Sequence, residues 1–122
     1  MGDNTAGSAP DCASPYVALR SEGYNLIGNA DGCDVAAAPG DLIGSPSGGG
    51  VVDPKLGILT ARGGPTETMA PAPSSPAINQ IPIGALSADG LVTLCPSAGI
   101  DQRGKPRPQG TGCDIGSYET KF

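Results

Sequence analysis

Short apolar runs alternate with turn-forming residues along the whole chain. The runs are "YVALRS" (16–21), "YNLIG" (24–28), "DLIG" (41–44), "GVVD" (50–53), "KLGILT" (55–60), "PAINQIPIG" (76–84), "GLVTLC" (90–95) and "DIGSYE" (114–119). Gly, Pro, Asp or Asn bounds nearly every one, and this pattern predicts short β-strands. No stretch between breakers sustains the i, i+3, i+4, i+7 periodicity of an amphipathic helix, so long helices are not expected. The apolar centres Leu26, Leu42, Leu56, Ile78, Leu94 and Ile115 are 16, 14, 22, 16 and 21 residues apart. That is roughly the length of one coil of a β-solenoid, in which each coil gives one or two short strands to stacked parallel sheets. A small β-sandwich is the alternative, but its tight hairpin signals are largely missing. "SPSGGG" (45–50) reads as a flexible loop. "TETMAPAPSSPA" (66–77) reads as an extended surface segment, because its prolines cannot donate to a central ladder.

Composition sharpens this into a question of stability. The 122 residues suit one domain, 1–122. With 20 Gly, 13 Pro, one Phe, three Tyr and no Trp, the chain has little with which to fill a conventional core. Its net charge of −5 is too small for self-repulsion to keep it unfolded, and its apolar residues are clustered. Small domains of this kind need staples, and four cysteines can supply them. Their spacings of 21, 62 and 18 residues, with no His in the chain, do not match a zinc site. Two disulfides in an oxidising compartment are the expectation, with three pairings open. No run is long and apolar enough to span a bilayer. "MGDNTAGSAP" has neither the basic start nor the apolar core of a signal peptide. An extracellular protein with this start would have lost its export signal, or would be a piece of a longer chain. The acidic balance argues against nucleic acid as a partner.

Candidate chemistry is sparse. Without His there is no Ser-His or Cys-His pair, no motif fixes two carboxylates together, and neither enzyme activity nor a cofactor is expected. "GNADGCD" (28–34) offers Asn29, Asp31 and Asp34 as weak calcium candidates, although the same residue types are ordinary turn formers. "RGKPRP" places Arg103, Lys105 and Arg107 at i, i+2, i+4, which puts all three on one face of an extended segment. They are either a ligand patch or partners for acids such as Asp101, Asp114 and Glu119, with Arg103 also reaching loop carbonyls.

Three ordered blocks carry a resemblance. "PDCASPYVALRSEGYNLIGNADGCD" (10–34), "DPKLGILTARGGPTETMAPAPSSPAIN" (53–79) and "DQRGKPRPQGTGCDIGSYE" (101–119) resemble the C-terminal region of bacterial surface proteins with a choice-of-anchor Q domain. Met69 stands where that family usually has His. "APAPS" (70–74) replaces its "LLPG", and Asn79-Gln80-Ile81 replaces Asp-Ala-Gly. The resemblance implies an all-β fold: a short right-handed parallel β-helix, or solenoid fragment, with long irregular loops. It implies a start just after a preceding coil, so the first strand edge is completed by earlier coils of a longer chain or by another copy of the protein. Of the three pairings, Cys12–Cys33 with Cys95–Cys113 is favoured, because each bond closes a short loop and contributes about 3 kcal/mol. The expected function is a non-catalytic cap of an extracellular β-helix on a bacterial surface. A head-to-tail filament subunit and a module for acidic polysaccharide are the alternatives.

Overall fold

Leu26-Ile27-Gly28 and Leu42-Ile43-Gly44 lie side by side as neighbouring rungs. The structure, a computed structural model, describes residues 4, 11–96 and 99–122. Among them there is no helix, and the strands are β1 (Ser14–Arg20), β2 (Leu26–Ile27), β3 (Cys33–Ala36), β4 (Leu42–Ile43), β5 (Ile81–Pro82) and β6 (Gly112–Cys113). The chain is therefore all-β, and it divides into two units, Met1–Pro54 and Lys55–Phe122.

In the first unit both strand pairings are parallel, and one antiparallel bridge, Ser45↔Gly50, closes the 45–50 loop. β1 pairs with β3 through Leu19↔Val35 and Arg20↔Ala36, and β2 pairs with β4 through Leu26↔Leu42 and Ile27↔Ile43. Each partner lies sixteen residues further on. A bulge between Ser14 and Leu19 absorbs the different offset of the Ser14↔Cys33 pair. Backbone bonds carry the stacking through the corners. Ser21 donates to the Ala36 carbonyl (3.1 Å), Tyr24 to Pro39 (3.2 Å) and Ala30 to Gly44 (2.8 Å). Leu26 and Ile27 are each only 5% exposed and form the buried centre of the unit.

Small residues set how closely the rungs approach. A Cβ on Gly44 would lie 2.3 Å from both the Gly28 carbonyl oxygen and the Val52 nitrogen, so only glycine fits where three backbones meet. One corner earlier, Gly40 has φ +80° and accommodates the Tyr24 ring from the rung before it. Asp41 fastens the same corner. Its carboxylate accepts from the Asn25 N–H (2.9 Å) and the Ala38 N–H (2.8 Å). Burial acts to raise its pKa, but the N–H groups of Ala38 and Asn25, with the Ser21 hydroxyl and the Asn25 amide, outweigh burial and hold it below the ordinary value. Cys12 is bonded to Cys33, the first residue of β3.

The second unit is built differently. β5 and β6 pair antiparallel, and the isolated bridges Leu56↔Pro71, Thr60↔Thr68, Leu86↔Thr93 and Ile100↔Pro106 are antiparallel too. Of the six apolar centres, only Leu26 and Leu42 stack as parallel rungs. The runs at 50–53, 55–60, 90–95 and 114–119 are not strands, and only Ile81–Pro82 of 76–84 is one. The partner segments account for part of this: Leu56 and Ile100 lie opposite Pro71 and Pro106, which lack an N–H and cannot extend a ladder. The 66–77 segment also departs from its expected surface position, with Thr68, Ser75 and Ala77 buried. It is held by reciprocal bonds between Thr60 and Thr68 and by Ala72 donating to Lys55 (2.8 Å). Among the described residues apolar burial here comes from few groups: Pro71, Ala77, Ile81 and the Cys95–Cys113 disulfide. Around them lie Asp101, Asp114, Glu119 and Thr120, all buried. A unit that buries so few of its large apolar side chains packs around carboxylates, each of which must find hydrogen-bond partners.

Candidate functional site

The densest chemistry of the second unit lies between residues 99 and 122, and it begins with a turn. The Asp101 N–H donates to the Lys105 carbonyl (2.8 Å), and Gly104 donates back to the Asp101 carbonyl (2.9 Å). Asp101 Oδ1 accepts the N–H groups of Arg103 (2.8 Å) and Lys105 (3.0 Å), a geometry to which a short carboxylate side chain is suited. Its other oxygen takes Arg103 Nη2 at 2.6 Å, Arg103 Nε at 2.9 Å and the Glu119 N–H at 3.0 Å. Arg103 is held from three sides. Besides Asp101 it donates to the Glu119 carbonyl (2.7 Å), and its guanidinium carbon lies 3.4 Å from the centroid of the Tyr118 ring.

Arg107 sits at the centre of a second knot. Nη1 donates to the Asp114 carbonyl (2.9 Å), Nη2 to the Gly116 carbonyl (2.5 Å), and Nη1 lies 3.4 Å from Glu119 Oε2. The Glu119 carboxylate accepts the N–H groups of Gln109 and Asp114, both at 3.0 Å. Asp114 in turn accepts from Asn79 (2.8 Å) and Thr120 (2.6 Å). Asn79 has φ +54°, and its side chain bridges the Gly112 N–H (3.1 Å) and the Phe122 carbonyl (2.7 Å). Two arginines and three carboxylates therefore bind backbone groups from 79 to 122 and each other. Carboxylates that accept several N–H groups, and guanidiniums that reach several carbonyls, fix a loop that has no ladder of its own.

The three cations are not equivalent, and they do not line one face. Arg103 and Arg107 are turned onto their partners, with side chains 8% and 11% exposed. Lys105 is exposed and has no side-chain partner among the described residues. Residues 114–119 form a bend around Arg107, and not a closing strand, because Arg107 captures the carbonyls of Asp114 and Gly116. Asn79 was not singled out from the sequence for this role. The signal was available, since Asn tolerates left-handed φ better than other non-glycine residues.

The other candidates are placed as follows. Asn29 accepts the Asp31 N–H (3.0 Å) in a local turn, and its own N–H donates to Asp11 (2.7 Å). Asp31 accepts the hydroxyls of Ser45 and Ser47, and Asp34 is exposed. No group of three or more His, Cys, Asp or Glu that could hold a metal ion occurs among the described residues. No helix among them is long and apolar enough to cross a membrane.

The Asp101 cradle predicts an acid response. Burial acts to raise its pKa, but the N–H groups of Glu119 and Lys105, then the Arg103 side chain and N–H, outweigh burial and lower it from 3.8 to about 2. A depressed carboxylate stabilises the fold above its unfolded pKa, and that stability is lost as pH falls through the folded one. The second unit should therefore lose about 2 kcal/mol between pH ~4 and ~2. Urea melts across this range should show the loss, and Asp101→Asn should flatten it. Equal acid sensitivity in the Asn variant would refute this role for Asp101.

Comparison with known proteins finds no matching family model, no matching curated protein and no matching solved structure.

Proposed function

We propose that the chain is a non-catalytic structural module of an extracellular bacterial surface protein: the closing part of a right-handed parallel β-helix of the choice-of-anchor Q type. Its partner is then the preceding coils of a longer chain. The observation that carries this reading is the sixteen-residue offset shared by four parallel residue pairs. A constant offset in parallel register is what successive solenoid coils produce. Among the described residues β1 has a single partner strand, β3, which leaves an edge where an earlier coil would pair. Among its described residues the antiparallel, proline-interrupted second unit offers no parallel ladder for a further coil, as a terminal element requires. Two disulfides suit an oxidising compartment.

Duplicating residues 19–34 in tandem, with the additional cysteine replaced by serine, tests the reading. A solenoid should accept the added coil in register, protecting its amides from hydrogen exchange and keeping the melting temperature at or above that of the parent. An insert without protected amides would overturn it. The second reading, a head-to-tail filament subunit, is favoured by one feature. β1 displays Tyr16 (95% exposed) and Val17 (77% exposed) beside that same edge. Sedimentation of the parent chain decides between them: a concentration-independent monomer eliminates the filament.

A further inference from the structure

A cavity of about 330 Å³ opens in the second unit beside the Arg103 stack. Its walls include Pro71, Pro73, Tyr118 and Phe122, and its cations are Arg103, Lys105 and Lys121. Arg103 is neutralised by Asp101. Glu119, the acid of the lining, already has both oxygens occupied by N–H groups. That leaves the ammonium groups of Lys105 and Lys121, which have no ion-pair partner among the described residues. Thr120 also lines the cavity. It is only 5% exposed, and its hydroxyl is buried with no hydrogen-bond partner among the described residues. That oxygen is closed off from the cavity, so what points to an occupant is the pair of unpartnered ammonium groups in an otherwise apolar-walled cavity of ligand size.

We infer that this cavity binds a small organic carboxylate with an apolar body. The two lysines supply the counter-charge for the carboxylate, and the prolines, Phe122 and the edge of Tyr118 receive the apolar part. A sugar fits less well, because few polar groups of the lining remain unspent and one face of Tyr118 is already covered by Arg103. The site uses only residues of the second unit and is independent of the solenoid reading, so either can fail alone.

The test is titration of the protein with phenylacetate, phenylacetamide and galacturonate, followed by backbone amide shifts of Lys105, Thr120 and Lys121. Phenylacetate should bind saturably with a Kd in the millimolar range, and the neutral amide and galacturonate at least about tenfold more weakly. The double variant Lys105→Met/Lys121→Met should lower phenylacetate affinity by about tenfold, with the urea midpoint unchanged because both side chains are exposed. Equal binding of acid and amide, tighter binding of galacturonate, unchanged affinity in the double variant, or no saturable shift with any probe would each overturn the assignment.

Discussion

Replacing Arg107 by methionine should destabilise the second unit by about 3–5 kcal/mol, the cost of removing one partner from a buried charge cluster. Methionine keeps most of the length and volume of the side chain, so the loss isolates the guanidinium. Without it the carbonyls of Asp114 and Gly116 lose their donor, and the Glu119 carboxylate, 1% exposed, keeps only the N–H groups of Gln109 and Asp114. Arg107→Lys should recover little, because a single ammonium cannot span two carbonyls and a carboxylate with the planar geometry of arginine. Adding Glu119→Gln to the methionine variant should restore part of the loss by removing the stranded charge, a coupling of about 0.5–3 kcal/mol. Urea denaturation of the parent, these three variants and Glu119→Gln alone measures all these terms. A loss below about 1 kcal/mol for the single methionine variant would place the knot among ordinary surface ion pairs.

The second large effect is expected at the disulfides, and it should be unequal. Cys95–Cys113 and Cys12–Cys33 close loops of similar length, with separations of 18 and 21 residues. Chain entropy alone therefore assigns each about 3 kcal/mol. Burial separates them. Cys95 and Cys113 are 0% and 1% exposed at the centre of the second unit, whereas Cys12 and Cys33 are half-buried. Cys113 also belongs to β6 and precedes Asp114, so its release frees the segment on which the Arg107 knot is built. The Cys95→Ala/Cys113→Ala variant should thus lose more than its Cys12→Ala/Cys33→Ala counterpart, up to about 5 kcal/mol. Thermal melts of the two variants, with mild reductant attacking Cys12–Cys33 first, check the order. The reverse ranking would mean that the polar centre of the second unit holds without its staple.

How much of this could be read from the chain depends on where each interaction lies in sequence. "YNLIG" and "DLIG" were legible because β2 and β4 each declare themselves by an apolar pair between turn residues, and their spacing is the offset of the parallel pairing. β3 was not legible. Cys33-Asp34-Val35-Ala36 has little strand character alone and is extended because β1 lies beside it. In the second unit the centres Leu56, Ile78, Leu94 and Ile115 suggested further parallel rungs, yet Leu56 lies opposite Pro71 in an antiparallel bridge. Spacing alone carries no strand direction. Asp101, Asp114 and Glu119 could be named as partners for the arginines, but their burial could not be foreseen. Charged residues are seldom buried, and what makes it tolerable here is a set of N–H donors from Asn79, Gln109, Thr120 and others. These are contributed by backbone, which carries no sequence label.

The connectivity of the disulfides bears on how the molecule is made. The pairing is first with second and third with fourth, and neither bond crosses from one unit to the other. A chain oxidised as it emerges, amino end first, meets each correct partner before any wrong one from the other pair is available. Native bonding can then follow the order of appearance, and thiol–disulfide reshuffling, which is slow without an isomerase, is not required.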